Sequence, residues 1–191
     1  MKKLFKSVLL LAAAGTMTLG FGSCSDNNEE SGNGTNTATE EEVFLGKVLS
    51  NYVDATVNPT YKEMAIHAET LYAQLKALRD AVEQGNATEA QVKAACDSWK
   101  KARAAYESSE AFLMGAASDY NIDPHIDTWP LNLSSLHALL KGPGLAQYTT
   151  TDDADNINNA HDNLGNSLLG FHAIEFVIFR NGQPRAVSSF N

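Results

Sequence analysis

His172 and Glu175 stand three residues apart in the most apolar stretch outside the N-terminal leader, Leu164 to Arg180. On a helix that spacing puts an imidazole and a carboxylate on one face. Phe171, Ile174, Val177 and Ile178 make the other faces apolar too, and a helix apolar all round is a buried one. A carboxylate there is costly unless something pairs with it. Two chemistries answer the cost. One is a metal ion, since helical bundles build metal sites from inward-pointing carboxylates and imidazoles. The other is a buried His–Glu pair satisfied by neighbours such as Arg103, Tyr106 or Trp129. Two ligands do not complete a transition-metal site; Glu110, Asp127, His125 and Asp123 are the candidates to add. Histidine with carboxylates suits iron, zinc and manganese alike. The sequence holds no His-Glu-x-x-His, Cys-x-x-Cys, Gly-x-Ser-x-Gly or phosphate-binding glycine loop.

The elements that must position these groups read as helices. Leu45, Val48, Leu49, Tyr52, Val53 and Thr56 repeat at helical period from about Glu40 to Thr56, and Asn58-Pro59 interrupts them, with Asn58 as the next cap. Tyr61 to Val82 carries a second stripe, stopped by Gly85; His67 lies at its edge. Thr88 and Gln91 form a capping box for a third helix reaching Gly115, on which Cys96 is a buried, inert thiol. Arg103 and Glu110 there read as an ion pair. Residues 116–132 form a long loop that Trp129 anchors by burial. A short helix spans Ser134–Leu140, with His137 uncommitted. Thr150 to Asp153 resembles a capping box that opens one long final helix, Asp153 to Arg180, ended by Asn181-Gly182. No segment alternates like a strand. The fold class is all-α, an antiparallel helical bundle.

Composition narrows the partners. The chain of 191 residues has a formal charge of −9. Residues 1–23 carry three lysines and no acid, so the remainder stands at −12. So acidic a chain does not bind nucleic acid through basic patches. The leader, Met1-Lys2-Lys3 followed by an apolar run to Gly22, reads as a secretory signal peptide over residues 1–23. It ends at Phe21-Gly22-Ser23-Cys24, a loose lipobox in which Cys24 is the lipidation site and anchors the protein to a membrane. Residues 24–39 are a disordered tether, and its acidic start resembles the export signals of surface lipoproteins. The expected location is the cell envelope, at the outer membrane, periplasmic or surface-exposed.

Three segments resemble the imelysin family. Gly170-Phe171-His172-Ala173-Ile174-Glu175 is similar to its Gly-x-His-x-x-Glu signature. Trp99, Ala102-Arg103 and Glu110-Ala111-Phe112 are similar to its Trp-x-x-Ala-Arg…Glu-Ala-Phe helix, and Ile126-Asp127-Thr128-Trp129-Pro130 to its loop. The resemblance covers roughly residues 40–190. It implies an exported, often lipid-anchored all-helical protein. The family was first described as an insulin-cleaving metallopeptidase, and related proteins act in bacterial iron uptake. It implies metal ligands at His172, Glu175, Glu110 and Asp127, with Arg103 and Trp129 supporting them.

Family members usually continue past the signature into a second bundle, whereas this chain ends eleven residues after Arg180. The domain at 40–191 is therefore expected to be one half of a two-bundle fold, truncated at its C-terminus and exposing an apolar face that favours self-association or an iron-uptake partner. The function expected is binding of a divalent or ferric metal ion, iron before zinc, in uptake. The alternatives are a metallopeptidase of the imelysin type and an inactive truncated fragment.

Overall fold

Helix-favouring composition and the periodic stripes produce helices, joined where proline, glycine or a side-chain hydrogen bond breaks the ladder. The computed structural model describes residues 38–149 and 154–190. The leader, Cys24, nearly all of the tether and the Thr150–Asp153 box lie outside them. α1 (Glu40–Tyr52) runs through a π turn, Val53–Val57, into α2 (Asn58–Glu83). α3 spans Glu89–Ser109, α4 Ala116–Asp119, α5 Ile122–Asp127, α6 Leu133–Lys141, α7 Ala146–Thr149, α8 Ala154–Asn163 and α9 Gly170–Ile178. A hairpin of β1 (Phe179–Arg180) and β2 (Gln183–Pro184) follows. The fold is an all-α helical bundle. Among the described residues, no helix is long and apolar enough to cross a membrane.

Asn58-Pro59 does not break the chain into two helices. Asn58 is itself helical and its N–H donates to the Val53 carbonyl, five residues back. The missing N–H of proline and its bulky ring are absorbed by one wide turn. The box at Thr88 forms as expected. The Thr88 hydroxyl accepts from Gln91 N–H at 3.3 Å, and Gln91 Oε1 accepts from Thr88 N–H at 2.9 Å. Such a cap stabilises by about 1 kcal/mol. α3 stops short of Gly115, at Ser109, whose buried hydroxyl donates to the Tyr106 carbonyl at 2.7 Å and so competes with the helical ladder.

α2 and α3 are antiparallel, and α9 packs on α3. Leu78 meets Val92, Ala95, Cys96, Ile178 and Phe179 in one buried cluster. Leu71, seven residues earlier, meets Ala102, Tyr106 and Phe171 in the other. Leu75, Trp99 and Ile174 touch both clusters. Cys96 is fully buried, as its stripe predicts, and its Sγ lies 3.4 Å from the Ile178 carbonyl. By contrast, the α1 stripe is exposed at Leu45, Val48, Leu49, Tyr52 and Val53.

The final stretch is not one helix. It breaks after Asn163, passes a 3-10 turn at Asn166–Leu168 and restarts at Gly170. Gly170 holds a φ of +78°, open to glycine and strained for other residues. A Cβ there would lie 2.1 Å from the Ile126 carbonyl oxygen, so glycine lets the start of α9 seat directly on the end of α5. Asn181 and Gly182, both at positive φ, make the tight turn of the hairpin rather than a helix stop, in keeping with the Asn-Gly preference of such turns. Arg185 then closes α9, its guanidinium donating to the carbonyls of Val177 at 2.9 Å and Phe176 at 2.7 Å, groups a helix end leaves unpaired.

Two measurements check this architecture. Burial pushes the Cys96 thiol up to about 11, so roughly one thiol in a thousand is thiolate at pH 8. In a Cys24→Ser chain, a disulfide reagent at pH 8 is expected to react only after denaturant is added; prompt native labelling would contradict a sealed α2–α3–α9 core. Gly170→Ala is expected to cost about 3 kcal/mol or more in urea unfolding, from strain plus displacement of a backbone carbonyl. Gly182→Ala, at positive φ but with open space around its Cβ, should cost about 1 kcal/mol. Equal losses would mean that the α9–α5 contact yields easily.

Candidate metal centre

His172 projects from the first turn of α9, and three elements converge on it. Gly170 brings the C-terminal end of α5 against that turn, so Asp127 Oδ1 lies 3.2 Å from His172 Nε2. Glu175, one turn along α9, places Oε2 3.1 Å from His172 Nδ1, the i, i+3 contact its spacing predicts. From α3, Arg103 donates through Nη1 to Asp127 Oδ1 and through Nε to Glu107 Oε1 at 2.6 Å. The result is a file in which acidic and basic side chains alternate, Glu107–Arg103–Asp127–His172–Glu175. Asp127 is the best-buried member at 9% side-chain exposure, His172 stands at 17% and Glu175 at 45%.

Aromatic rings set the walls. Trp99 Nε1 donates to the Phe171 carbonyl at 2.8 Å and its ring meets Phe171 and Phe179 edge-on at 6.1 and 5.4 Å. That pins the turn carrying His172 to α3. The Arg103 guanidinium stacks 5.6 Å from both the Tyr106 and Phe171 rings. Tyr106 is buried, and its hydroxyl donates to Asp123. Burial first, then that carboxylate, hold the phenol far above its usual range. Asp123 thus ties the 116–132 segment to α3, while Asp127 joins the imidazole.

Trp129 does not anchor its segment by burial. It is 71% exposed, with its ring 4.7 Å from that of His172. The segment is held instead by the two aspartates, and Trp129 is left as an aromatic lip over the imidazole. Arg103 does not pair with Glu110. Two helical turns separate those residues, whereas Glu107 lies one turn away and Asp127 faces Arg103 from α5. Glu110 sits at the surface after α3. Its carboxyl is held above the usual range by desolvation, then by the Glu107 carboxylate. No contact joins it to His172 among the described residues. His125 lies elsewhere, 4.1 Å from the His161 ring, with both ring nitrogens buried and unpartnered.

The donor set has a definite limit. Asp127 and Glu175 lie on opposite edges of one imidazole, so a single ion cannot take His172 and both carboxylates together. Among the described residues no group of three or more histidines, cysteines or acids is gathered around one point. An imidazolium donates to both carboxylates, whereas the neutral ring has a single N–H and in that form turns a nitrogen lone pair toward one of them. A cation at that edge would satisfy both, and to that extent the residues fit a metal, as a two-donor anchor.

His172 and Glu175 line an open cleft of about 1050 Å³ between α9, α6 and the hairpin. Lys141, Arg180 and Arg185 also line it, three cations that sequence reasoning did not single out. Nothing in their spacing signals the association, because residues 141 and 180 meet only through the fold.

The comparisons agree with this architecture. The sequence profile of the Peptidase_M75 family, described as imelysin, matches residues 57–190. The chain is 27% identical over 144 residues to "Iron-regulated protein A" of Synechococcus elongatus, covering 75% of this chain and 34% of that protein. The crystal structure of an imelysin peptidase from Bacteroides ovatus superposes with a TM-score of 0.61 at 33% identity, over 75% of this chain and 39% of that one. A structure described as an iron-regulated protein A precursor from Parabacteroides distasonis gives 0.61 at 28% identity, over 81% and 39%. The chain thus spans little more than a third of the length of these relatives. With a profile match over most of its length and the His172–Glu175 signature on a helix braced by Trp99 and Arg103, the chain belongs to the imelysin family.

Proposed function

We propose that the protein binds a metal ion, iron before zinc, in the cell envelope and serves metal uptake. His172 supplies a nitrogen, and Asp127 or Glu175 supplies the oxygen on the same edge of the ring. Arg103 holds Asp127 in place, and Trp129 covers the outer side. Glu110 remains a candidate only if the segments around it rearrange. The single observation that carries the reading is the imidazole flanked by carboxylates on both nitrogens, where a cation can bridge a ring nitrogen and the carboxylate oxygen beside it. The names of the relatives support it, since two of the proteins it resembles are called iron-regulated. Export through the leader and a lipid anchor at Cys24 would place the site outside the cytoplasm.

One relative is called a peptidase. A metal-dependent peptidase needs a carboxylate free to take a proton from the attacking water. Here Asp127 is already engaged by Arg103 and Glu175 by the imidazole, so binding is the better-supported reading.

Calorimetric titration with ferrous, ferric and zinc ions tests it, beside His172→Ala. Stoichiometric binding is expected, weakened at least tenfold in the variant while its helical circular dichroism is unchanged. Heats at background level in a folded wild-type chain would remove the proposal, and insulin cleavage that survives metal removal would argue against any metal-dependent role.

A further inference from the structure

The charge around the cleft is opposite to that of the rest of the chain. The protein has fourteen lysines and arginines against twenty-three acids. Four of the former, Arg103, Lys141, Arg180 and Arg185, line the cleft, but only two of the latter, Asp127 and Glu175. Arg103 is spent on Glu107 and Asp127. Arg185 is turned onto backbone carbonyls. Lys141 and Arg180 are exposed and, among the described residues, have no carboxylate partner. A site for a bare cation would be expected to gather acids instead, because each unpaired lysine or arginine repels the ion.

Size and lining agree with the charge. A metal ion occupies a small fraction of about 1050 Å³, a volume in the range of sites for small organic molecules. Trp129, Leu133, Leu140, Phe176 and Phe179 give the cleft an apolar face suited to carbon rather than to a hydrated ion. The coordination arithmetic points the same way. His172 and one carboxylate fill two positions, whereas iron commonly takes more. The remaining donors have to come from outside the described residues.

We infer that the cleft takes its metal already wrapped, as an anionic chelate whose organic carboxylates face Lys141 and Arg180 and whose carbon body lies along Trp129 and Phe176. The inference rests on the metal-binding reading of His172 and gives it a ligand class, a metal complex of an organic polycarboxylate. The chelator supplies the donors that the described residues lack, and the basic wall compensates the charge it brings. Each carboxylate–cation contact is charge-assisted, and the basic wall also steers an anion into an otherwise acidic surface.

Equilibrium dialysis of the full chain tests this with four probes: ferric citrate, ferric protoporphyrin, citrate without metal, and zinc chloride. Lys141→Glu, Arg180→Glu and His172→Ala are compared, each checked for an unchanged melting temperature. The inference expects at least one iron chelate to bind, about tenfold more weakly in each charge reversal and at raised salt. Zinc should bind equally well or better after the reversals, because they add a carboxylate. Chelate affinity unchanged by both reversals would overturn the inference and leave the metal reading standing on zinc and His172. Citrate that binds without metal, lost in Arg180→Glu but not in His172→Ala, would keep the anion cleft and remove the metal. Failure of every probe would remove both.

Discussion

A side chain at position 170 has nowhere to go. Its Cβ would overlap the Ile126 carbonyl, and that close approach decides the rest of the site. It seats the first turn of α9 on the last turn of α5, with no side chain between the two backbones. Asp127 is the next residue along α5 and His172 is two along α9, so the contact carries the carboxylate to the imidazole without help from either side chain. Trp99 secures the same turn from the α3 side through the Phe171 carbonyl. The site is therefore made of three elements locked at one backbone junction.

Around that junction the charges are arranged in series. Arg103 is tied on both sides, by Glu107 and Asp127, and stacks on two aromatic rings. A guanidinium so held has little freedom to leave, and its planar fork fits carboxylates better than a lysine would. Removing it would strand the best-buried carboxylate of the file, which is costlier than the loss of an exposed pair. The imidazole stands between the last two carboxylates of the file, and the exposure of Glu175 leaves that end open to the cleft. The buried middle of the file is structural support, and the Glu175 end, which lines the cleft, is where a ligand can arrive.

The acidic composition gives a misleading picture of the site when read alone. Averaged over the chain, it suggests a surface that attracts cations, and the cleft departs from that average. Charge at a site is set by which residues the fold gathers within a Debye length, not by the sum over the chain. Lys141 ends α6, Arg180 lies in the hairpin and Arg185 caps α9. Each has an ordinary local role, at a helix end or in a turn. Only their shared wall gives them a collective one.

The helical stripes, the Thr88–Gln91 box, the buried thiol and the His172–Glu175 contact were all legible in the sequence, because each depends on neighbours within one or two helical turns. The glycines and Asn181-Gly182 were visible too, but their meaning was not. A positive φ at Gly170 is chosen by the carbonyl of a residue more than forty positions away, and Asn-Gly signals a helix stop and a hairpin turn equally well. The strands of that hairpin are two residues each, too short for alternation to show. Trp129 looked like a core anchor because tryptophan usually buries its area, and only the aspartate contacts beneath it made that unnecessary. The union of Arg103, Asp127 and His172, like the basic wall across from it, was decided by tertiary structure alone. Helical period fixes which face a residue takes, whereas the partner of that face is set by long-range packing that no local pattern encodes.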